Sequence, residues 1–303
     1  MMLSRIRGNE AFKDSVQAAL QAGRLSNSVL LCAEEGCGAG FAARCLAADF
    51  LFPEGGDAAE AVLAGRSSEC IEVRGQGQRG EILVGQARQV RSLVYETALS
   101  AAGRVVIFYG AHRMNPSAAN ALLKVLEEPP AGVLFILTAP SAAAVLATIR
   151  SRCGLFLLCP VTTAQCEAYL KETCPGCPDA ALLARVYAGR IGPAKAAATD
   201  PAARRSLDAA LELAKAVGKA DRYETMRLLA AVEKDRPAAA RLLEDLACVA
   251  AAVLEGAEGL GLPLSAAARC AEGCGEVRRG MDRSLNQKLL FTLLAAKLCD
   301  AAG

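Results

Sequence analysis

The first half of this chain alternates short apolar runs with segments of helical pattern, and this alternation restricts the fold more than any other feature. The runs lack the polar–apolar alternation of a half-exposed strand, so we expect helices to cover both faces of the sheet. Strands of this kind, separated by helices, predict a parallel, doubly wound α/β domain. The predicted strands are Val29–Ala33, Cys70–Val73, Val105–Tyr109, Val133–Thr138 and Leu155–Leu158.

Two of the intervening helices can be predicted from their sequence. Asn115–Glu128 begins with a capping residue followed by a proline, and two further prolines end it. Its predicted buried face is Ala119, Leu122, Leu123 and Leu126. A second helix is predicted over Gln86–Leu99, with an apolar side formed by Val90, Leu93, Val94 and Leu99.

After Pro160 the strand signals end and only helical patterns remain. A small helical unit is predicted from Thr162–Lys171, Asp179–Ala188 and Gly192–Ala198. A second helical domain, from about Ala202 onward, is predicted from Ser206–Val217, Tyr223–Glu233, Arg236–Leu254 and Leu285–Leu298.

The composition agrees with a helix-rich protein and excludes several classes of function. Of 303 residues, 53% are hydrophobic, only 4% are aromatic and none is tryptophan, which favours helices over a β-sandwich or barrel. Thirty-four basic residues against 32 acidic ones give a net charge of +2, too near neutral for a stand-alone nucleic-acid binder. The single histidine, His112, excludes a multi-histidine metal site.

The thirteen cysteines and the N-terminal sequence bear on the cellular compartment. The first residues carry charges and form no apolar signal segment, so we expect reduced thiols in a cytoplasmic protein. The charge-free stretch between Glu128 and Arg150 is interrupted by three prolines and a glycine. It therefore predicts a turn, a buried strand and a short helix, and no contact with a membrane.

A glycine-rich turn follows the first predicted strand, in the setting of a phosphate-binding loop. A working loop opens with glycine and ends in Gly-Lys-[Ser/Thr], whereas this chain has Ala33 at the start and Gly38-Ala39-Gly40 at the end. Together with Gly36, these residues indicate either a degenerate phosphate-binding loop or an ordinary strand–helix turn. Taken alone, the segment favours the ordinary turn.

A later pattern is far more specific. Residues 115–130 read NPSAANALLKVLEEPP, and an apolar strand and the sequence TIRSRC at 148–153 follow. This combination resembles the clamp-loader branch of the AAA+ ATPases, the subunits of bacterial DNA polymerase III, and among them most the delta-prime type. The resemblance covers about Arg5 to Pro160 and is faint beyond, although residues 283–289 resemble the family's C-terminal helix.

The resemblance also shows which catalytic parts are missing. In active relatives the strand at 105–109 ends in an Asp-Glu pair that holds magnesium, where this chain has Tyr109 and Gly110. Residues 189–195 resemble the second sensor segment, with Gly192 in place of the phosphate-contacting arginine. Since Ala39 also replaces the lysine, the resemblance implies a ring member that neither hydrolyses ATP nor holds a cofactor.

One catalytic part is retained, in Ser151-Arg152-Cys153. In this family such an arginine reaches into the ATP site of the neighbouring subunit, so the resemblance implies that Arg152 is an arginine finger acting in trans. The alternative interpretation is a surface arginine in a salt bridge. The flanking serine and cysteine, and the distance from the helix motif, favour the finger.

The resemblance implies an α/β plus all-α architecture. An AAA+ P-loop-type parallel αβα core would cover 1–160, a helical lid 161–203 and a helical collar 204–303. The implied partners are the gamma/tau and delta subunits of a hetero-oligomeric ring, with primed DNA and the sliding clamp reached through the complex. Two alternatives stay open: a catalytically active gamma/tau-type ATPase, and an AAA+-derived scaffold outside replication.

The remaining candidates are cysteines and His112. Many relatives carry four closely spaced cysteines between the loop helix and the next strand, but no cysteine lies between Cys45 and Cys70. A closed zinc site needs four ligands, and two close pairs remain, Cys174/Cys177 and Cys270/Cys274. These pairs belong to different predicted domains, so no metal site is expected. His112 is expected to be a polar loop residue rather than a general base.

Overall fold

The computed structural model describes residues 1–77, 80–95, 103–283 and 285–300. The chain divides into two compact units, Met1–Val161 and Thr162–Gly303. The first contains the sheet and the second is helical.

The five predicted apolar runs all form strands, each within one residue of its predicted ends. Their bounds are Ser28–Cys32 (β1), Cys70–Arg74 (β2), Arg104–Tyr109 (β3), Val133–Ala139 (β4) and Gly154–Leu157 (β5). The strands run parallel in one sheet, in the order β2-β3-β4-β1-β5.

The strand register determines which loops lie close together. Cys32 at the end of β1 pairs with Ala139 at the end of β4, and Phe108 of β3 pairs with Leu137 of β4. The segments that follow β1 and β3 therefore leave the same carboxyl edge of the sheet. At the opposite edge, Val29 of β1 pairs with Gly154 of β5, so the residues just before both strands lie together.

Helices cover both faces of the sheet in the first unit. One face is buried with the helix Ala39–Leu51, whose Leu46 is fully buried, and the other with the helix Pro116–Glu127, whose Leu122 is fully buried. The helices are Glu10–Gln21 (α1), Ala39–Leu51 (α2), Asp57–Leu63 (α3), Val84–Leu93 (α4), Pro116–Glu127 (α5) and Ala147–Arg150 (α6).

The expectation that every strand is covered on both faces is wrong for the two edge strands. Strands β1 and β4 are buried along their whole length, and β3 up to Tyr109. In contrast, only Val73 is buried in β2, and Leu155 and Leu157 in β5 are 49% and 61% exposed. An edge strand has a neighbour on one side only, so the apolar run alone did not reveal its exposure.

Helix α5 begins as predicted. The Oδ1 atom of Asn115 accepts a hydrogen bond from the Ala118 N–H at 2.8 Å and caps the helix. Its buried face is shifted by a small angle from the prediction, because Val125 is fully buried while Leu123 is only partly buried.

Helix α4 differs more from its prediction. It begins two residues early, where the Gln86 side chain accepts a hydrogen bond from the Leu83 N–H, and it ends at Leu93. Val90 and Val94 are buried as predicted, whereas Leu93 is only partly buried. The predicted end at Leu99 lies outside the described residues.

The uncharged stretch before Arg150 forms a turn, the buried strand β4, a 3₁₀ turn at Ala142–Ala144 and the short α6, which confirms its interpretation. Among the described helices, none combines the length and apolar character that a membrane-spanning segment needs.

The second unit is built of helices throughout its described residues. Their bounds are Thr163–Thr173 (α7), Ala180–Val186 (α8), Ile191–Thr199 (α9), Pro201–Gly218 (α10), Arg222–Val232 (α11), Arg236–Leu254 (α12), Leu264–Asp282 (α13) and Gln287–Asp300 (α14). All seven predicted helices are present. Helix α13 was not predicted, because Gly273, Gly275 and Gly280 lower the helix propensity of that segment.

A buried polar cluster joins helices on both sides of the predicted lid–collar boundary. The Tyr187 hydroxyl donates to Asp245 Oδ1 at 2.8 Å, and the Ser206 hydroxyl donates to Asp245 Oδ2 at 2.6 Å. Burial is the main cause that raises the pKa of Asp245. The division into a lid at 161–203 and a collar at 204–303 stays a prediction.

Candidate functional site

The glycine-rich loop connects β1 to α2 at the carboxyl edge of the sheet. Gly36 and Gly38 have φ values of +90° and +85°, in the left-handed region that favours glycine. Gly38 directly precedes α2, so the loop brings the amino end of a 13-residue helix to the sheet edge. A glycine-rich turn that leads into a helix N-terminus is the setting in which many proteins bind phosphate. Ala39 and Gly40 form the start of α2 and supply neither a charge nor a hydroxyl group.

Tyr109, at the end of β3, lies against this loop. A Cβ atom added to Gly40 would lie only 3.1 Å from Cε1 of the Tyr109 ring, so the ring packs directly on the first turn of α2. The Arg74 guanidinium carbon lies 3.8 Å from the centre of the ring. Burial raises the pKa of Tyr109 to about 12, with nearby Glu72 adding to the effect. The aromatic side chain therefore stays neutral at physiological pH.

The carboxylate beside Tyr109 is bound by arginines. Glu72 of β2 accepts two hydrogen bonds from Arg44 of α2, with Nε–Oε1 and Nη2–Oε2 distances of 2.5 and 2.9 Å. A third bond comes from Arg74 Nη2 at 3.1 Å. Hydrogen bonding to Arg44 is the main cause that lowers the pKa of Glu72. Since both carboxylate oxygens are bound to guanidinium groups, this site does not offer the free carboxylate that magnesium requires.

Sequence reasoning did not identify Arg44, Glu72 and Arg74 as part of this site. A signal was present, because Glu72 interrupts an otherwise apolar strand run. A charged residue at a partly buried strand position normally has a charged partner.

Gly110 and His112 follow Tyr109 in the same segment. The Gly110 N–H donates to the Thr138 hydroxyl at 3.0 Å, which ties this turn to β4. His112 lies in the 3₁₀ turn Ala111–Arg113, and its buried Nδ1 has no hydrogen-bond partner in the described part of the chain. Burial and the charge of Arg113 lower the pKa of His112. A neutral imidazole without a bonded carboxylate at Nδ1 resembles a loop residue more than a general base.

Arg152 lies at the other edge of the sheet, in the turn between α6 and β5. Its Nε donates to Glu127 Oε1 at 2.6 Å, and its Nη2 donates to the same carboxylate. Its Nη1 donates to the Thr148 carbonyl at 2.7 Å and to the Ser151 hydroxyl at 3.3 Å. Glu127 is the last residue of α5, so this ion pair joins the two separate halves of the sequence motif.

A cleft of about 360 Å³ lies beside this ion pair. It is lined by Ser26, Asn27, Ser28, Leu126, Glu127, Pro129 and Arg152. Ser28 starts β1, whereas the glycine-rich loop follows the end of β1. Five residues of strand separate the two places by about 16 Å, at about 3.3 Å per residue. The structure therefore does not bring Arg152 to the glycine-rich loop of its own chain.

The segment that resembles the second sensor lies in the second unit. Gly192 is the second residue of α9, and no side chain at this position can contact a phosphate. The neighbouring Arg190 donates to Cys248 Sγ at 2.8 Å and to the Tyr187 carbonyl at 3.2 Å.

The cysteines are all free thiols. Cys174 and Cys177 are joined by a backbone hydrogen bond of 2.9 Å in a turn, and Cys270 and Cys274 are buried one turn apart on α13. Within the described ranges, no group of three or more His, Cys, Asp or Glu residues is arranged to hold a metal ion.

Comparison with known families gives a match to the first unit. A family model described as DNA polymerase III, delta subunit, matches residues 8–162, just over half of the chain. The chain belongs to this family. The predicted resemblance to delta-prime-type DNA polymerase III proteins is thereby confirmed, and relatives of that name are among the matches.

The curated relatives include both delta-prime and gamma/tau subunits of DNA polymerase III. The chain is 45% identical over 78 residues to the delta-prime subunit of Haemophilus influenzae, covering 26% of this chain and 24% of that protein. It is 39% identical over 114 residues to the Escherichia coli delta-prime subunit, covering 37% of this chain and 34% of that protein. It is 30% identical over 159 residues to the gamma/tau subunit of Mycobacterium tuberculosis, covering 49% of this chain and 27% of that protein. The matches span about a quarter to a third of the length of these relatives.

A solved structure extends the likeness to the whole fold. The gamma subunit-related DNA polymerase III protein of Thermotoga maritima superposes with a TM-score of 0.55 at 18% identity, covering 95% of this chain and 99% of that one. The likeness confirms the predicted fold class, a parallel α/β core followed by helices.

Proposed function

We propose that this chain is a delta-prime subunit of the DNA polymerase III clamp loader that does not hydrolyse ATP itself. Its part in catalysis is to supply Arg152 to the ATP site of an adjacent gamma/tau subunit. The observation that carries this proposal is the position of Arg152, at the edge of the sheet opposite the chain's own glycine-rich loop. An arginine in that position can act on a phosphate only if another molecule presents it.

The chain's own loop supports the same interpretation. The backbone turn at Gly36 and Gly38 is retained, but Ala39 and Gly40 supply no charge to the phosphates and no ligand to magnesium. Tyr109 packs on the first turn of α2, and Gly110 follows it where active relatives of the family carry acidic groups. A degenerate loop of this kind makes the core a rigid, nucleotide-independent member of a ring.

An arginine suits the proposed role in trans because its guanidinium stays protonated and presents a planar fork to phosphate oxygens. The positive charge stabilises the γ-phosphate as negative charge develops there in the transition state. Cys153 and β5 follow Arg152 directly, so the sheet determines where its backbone lies.

The proposed partners follow from the family. The helical lid at 161–203 and the collar at 204–303 would join a ring with gamma/tau and delta subunits in the cytoplasm. Contact with primed DNA and the sliding clamp would be made through the complex, because a net charge of +2 does not support independent DNA binding.

A second candidate function is a catalytically active gamma/tau-type ATPase. The similarity to the Mycobacterium tuberculosis gamma/tau subunit, over 49% of the chain, favours it. The residues at positions 39, 40, 109 and 110 argue against it, since none can bind magnesium or neutralise a phosphate.

The proposal is tested by purifying the tagged full chain from its own cells and identifying the bound proteins by mass spectrometry. We expect the gamma/tau and delta subunits in near-equal yield with the chain, and none of them with an unrelated tagged protein. A chain that comes down without these subunits would indicate a scaffold outside replication. ATP hydrolysis by the purified chain alone would favour the gamma/tau-type function.

A further inference from the structure

The ion pair between Arg152 and Glu127 occupies the groups that a phosphate would need. The guanidinium uses Nε and Nη2 on the Glu127 carboxylate and Nη1 on Thr148 and Ser151, so all three nitrogens already donate hydrogen bonds. Carboxylate and phosphate oxygens both accept from the same two-pronged face of an arginine. Arg152 therefore cannot place this face on a phosphate while Glu127 holds it.

The location of Glu127 makes this contact readily reversible. Glu127 ends α5, where a negative charge is unfavourable because helix carbonyls point toward it. Arg152 offsets that charge, but the two side chains are 28% and 47% exposed. Ion pairs with this much exposure contribute little, about 1 kcal/mol or less. A phosphate group, which carries more negative charge than a carboxylate, can displace such a partner.

From this geometry we infer that Glu127 is a positioning residue that acts through Arg152. In the free chain its carboxylate holds the guanidinium against the end of α5. In the assembled ring the γ-phosphate of the neighbour's ATP takes over the Nε and Nη2 donors, and Glu127 is released into the cleft lined by Asn27 and Pro129. This inference rests on the proposed role of Arg152 in trans.

Competition of this kind has a defined kinetic signature. It reduces the fraction of Arg152 free to bind ATP, which raises the apparent KM, but it does not change the transition state once the phosphate is bound. Removing the Glu127 charge should therefore lower the KM for ATP at the Arg152-dependent site about two- to fivefold, the range expected from an exposed ion pair. The kcat should stay within about twofold of wild type.

The first test uses the isolated full chain and needs no partner. The mobility of the Arg152 Nε–H group is measured by ¹⁵N relaxation in wild type, Glu127→Gln and Glu128→Gln. Glu128 is the matched control, because it is the next residue, is exposed, and makes no hydrogen bond with Arg152. We expect an ordered Nε–H in wild type and Glu128→Gln and a mobile one in Glu127→Gln. A mobile group in the wild-type chain would overturn the inference.

The second test is single-turnover ATP hydrolysis at varied ATP concentration in the reconstituted loader. The Arg152-dependent site is the ATP site whose turnover is lost in the Arg152→Ala loader. Glu127→Gln should lower the KM of that site while Glu128→Gln leaves it unchanged, and Glu127→Asp should restore a KM near wild type. If Arg152→Ala changes nothing, the proposed function fails. If Arg152→Ala slows turnover but Glu127→Gln leaves the KM unchanged or lowers kcat instead, only the role of Glu127 fails.

Discussion

At the scale of single residues, Tyr109 is central to the proposal that this chain does not hydrolyse ATP. Its ring packs on the first turn of α2 and under the Arg74 guanidinium, at the place where the resemblance implies magnesium-binding acids in ATPases. A neutral aromatic ring in that place cannot hold a metal ion. At the start of α2, Ala39 and Gly40 supply neither a charge nor a hydroxyl group to the glycine-rich loop.

We therefore expect the purified chain to bind no ATP with micromolar, magnesium-dependent affinity. Titration with a fluorescent ATP analogue measures this, with a gamma/tau subunit as the positive control. The variant Ala39→Lys/Gly40→Thr should stay weak, because a side chain at position 40 meets the Tyr109 ring. Adding Tyr109→Ala should improve binding. Micromolar affinity of the wild-type chain would show that the loop is functional.

The Glu72 carboxylate provides a pH-dependent test of the same cluster. Its pKa is lowered in the folded chain, chiefly by Arg44, so its stabilising effect is present above the ordinary glutamate pKa of about 4.3. The effect is lost as the pH falls through the lower folded value. Glu72→Gln should cost about 1–2 kcal/mol of unfolding free energy at pH 7, and the difference from wild type should shrink below about pH 4.

Thermal unfolding between pH 3 and 8 measures this difference. The control is Glu60→Gln, which removes an exposed partner of Arg5 and should cost less than about 1 kcal/mol. A Glu72→Gln variant as stable as wild type at pH 7 would show that the Arg44–Glu72 contact contributes nothing.

Residue-scale predictions from sequence succeeded where the deciding contact is local. The Asn115 cap needs a backbone group only three residues away, so the motif was sufficient to predict it. The Arg152–Glu127 pair joins residues 25 positions apart. Both residues belong to the motif that the sequence revealed. Their contact depends on how α5 and α6 pack, so it could not be predicted from either segment.

At the scale of elements, the strands were predicted well because each is a short apolar run ended by polar residues or glycine. Exposure at the sheet edges was not predicted, because β5 resembles the central strands in composition and the charge of Glu72 within β2 was not taken into account. Helix α13 was missed because its glycines look like breaks in a helix. In the structure two of them allow close packing: Cβ atoms at Gly273 and Gly280 would lie 3.0 Å from Leu294 Cδ1 and 2.6 Å from Leu290 Cδ2.

This packing predicts opposite effects for two alanine substitutions in α13. Gly280→Ala should destabilise the chain by about 1 kcal/mol, because overpacking against Leu290 outweighs the gain in helix propensity. Gly275→Ala should stabilise it by up to about 1 kcal/mol, since the nearest atom to its new Cβ is the mobile Arg279 Nη1 at 3.4 Å. Urea unfolding midpoints measure both. Equal shifts would show that α13 and α14 are not packed through Gly280.

At the scale of the whole molecule, the family match to residues 8–162 nearly coincides with the first compact unit, Met1–Val161. The motifs that revealed the family lie in this unit, which is why the sequence predicted its fold and candidate residues together. The helical unit has few distinguishing residues beyond alanine and leucine patterns, so its helices could be predicted while its role rests on the family.

The proposed function, in which the chain acts on ATP only through a neighbour, is tested most directly by single-turnover ATP hydrolysis. The loaders compared are reconstituted with wild-type, Arg152→Ala or Arg150→Ala chains. Arg150 is the matched control, an exposed arginine two residues earlier that donates to the Ala142 carbonyl. The loader with Arg152→Ala should assemble normally, since an exposed ion pair adds little stability.

In that loader the rate of ATP hydrolysis at one site should fall strongly. In GTPases an arginine finger contributes about 10³–10⁵-fold to the hydrolysis rate, and the fall should approach that range. Clamp loading should fall with it, while Arg150→Ala should match wild type. Equal hydrolysis rates and equal clamp loading for Arg152→Ala and wild type would contradict the account and leave Arg152 as the surface half of an ion pair.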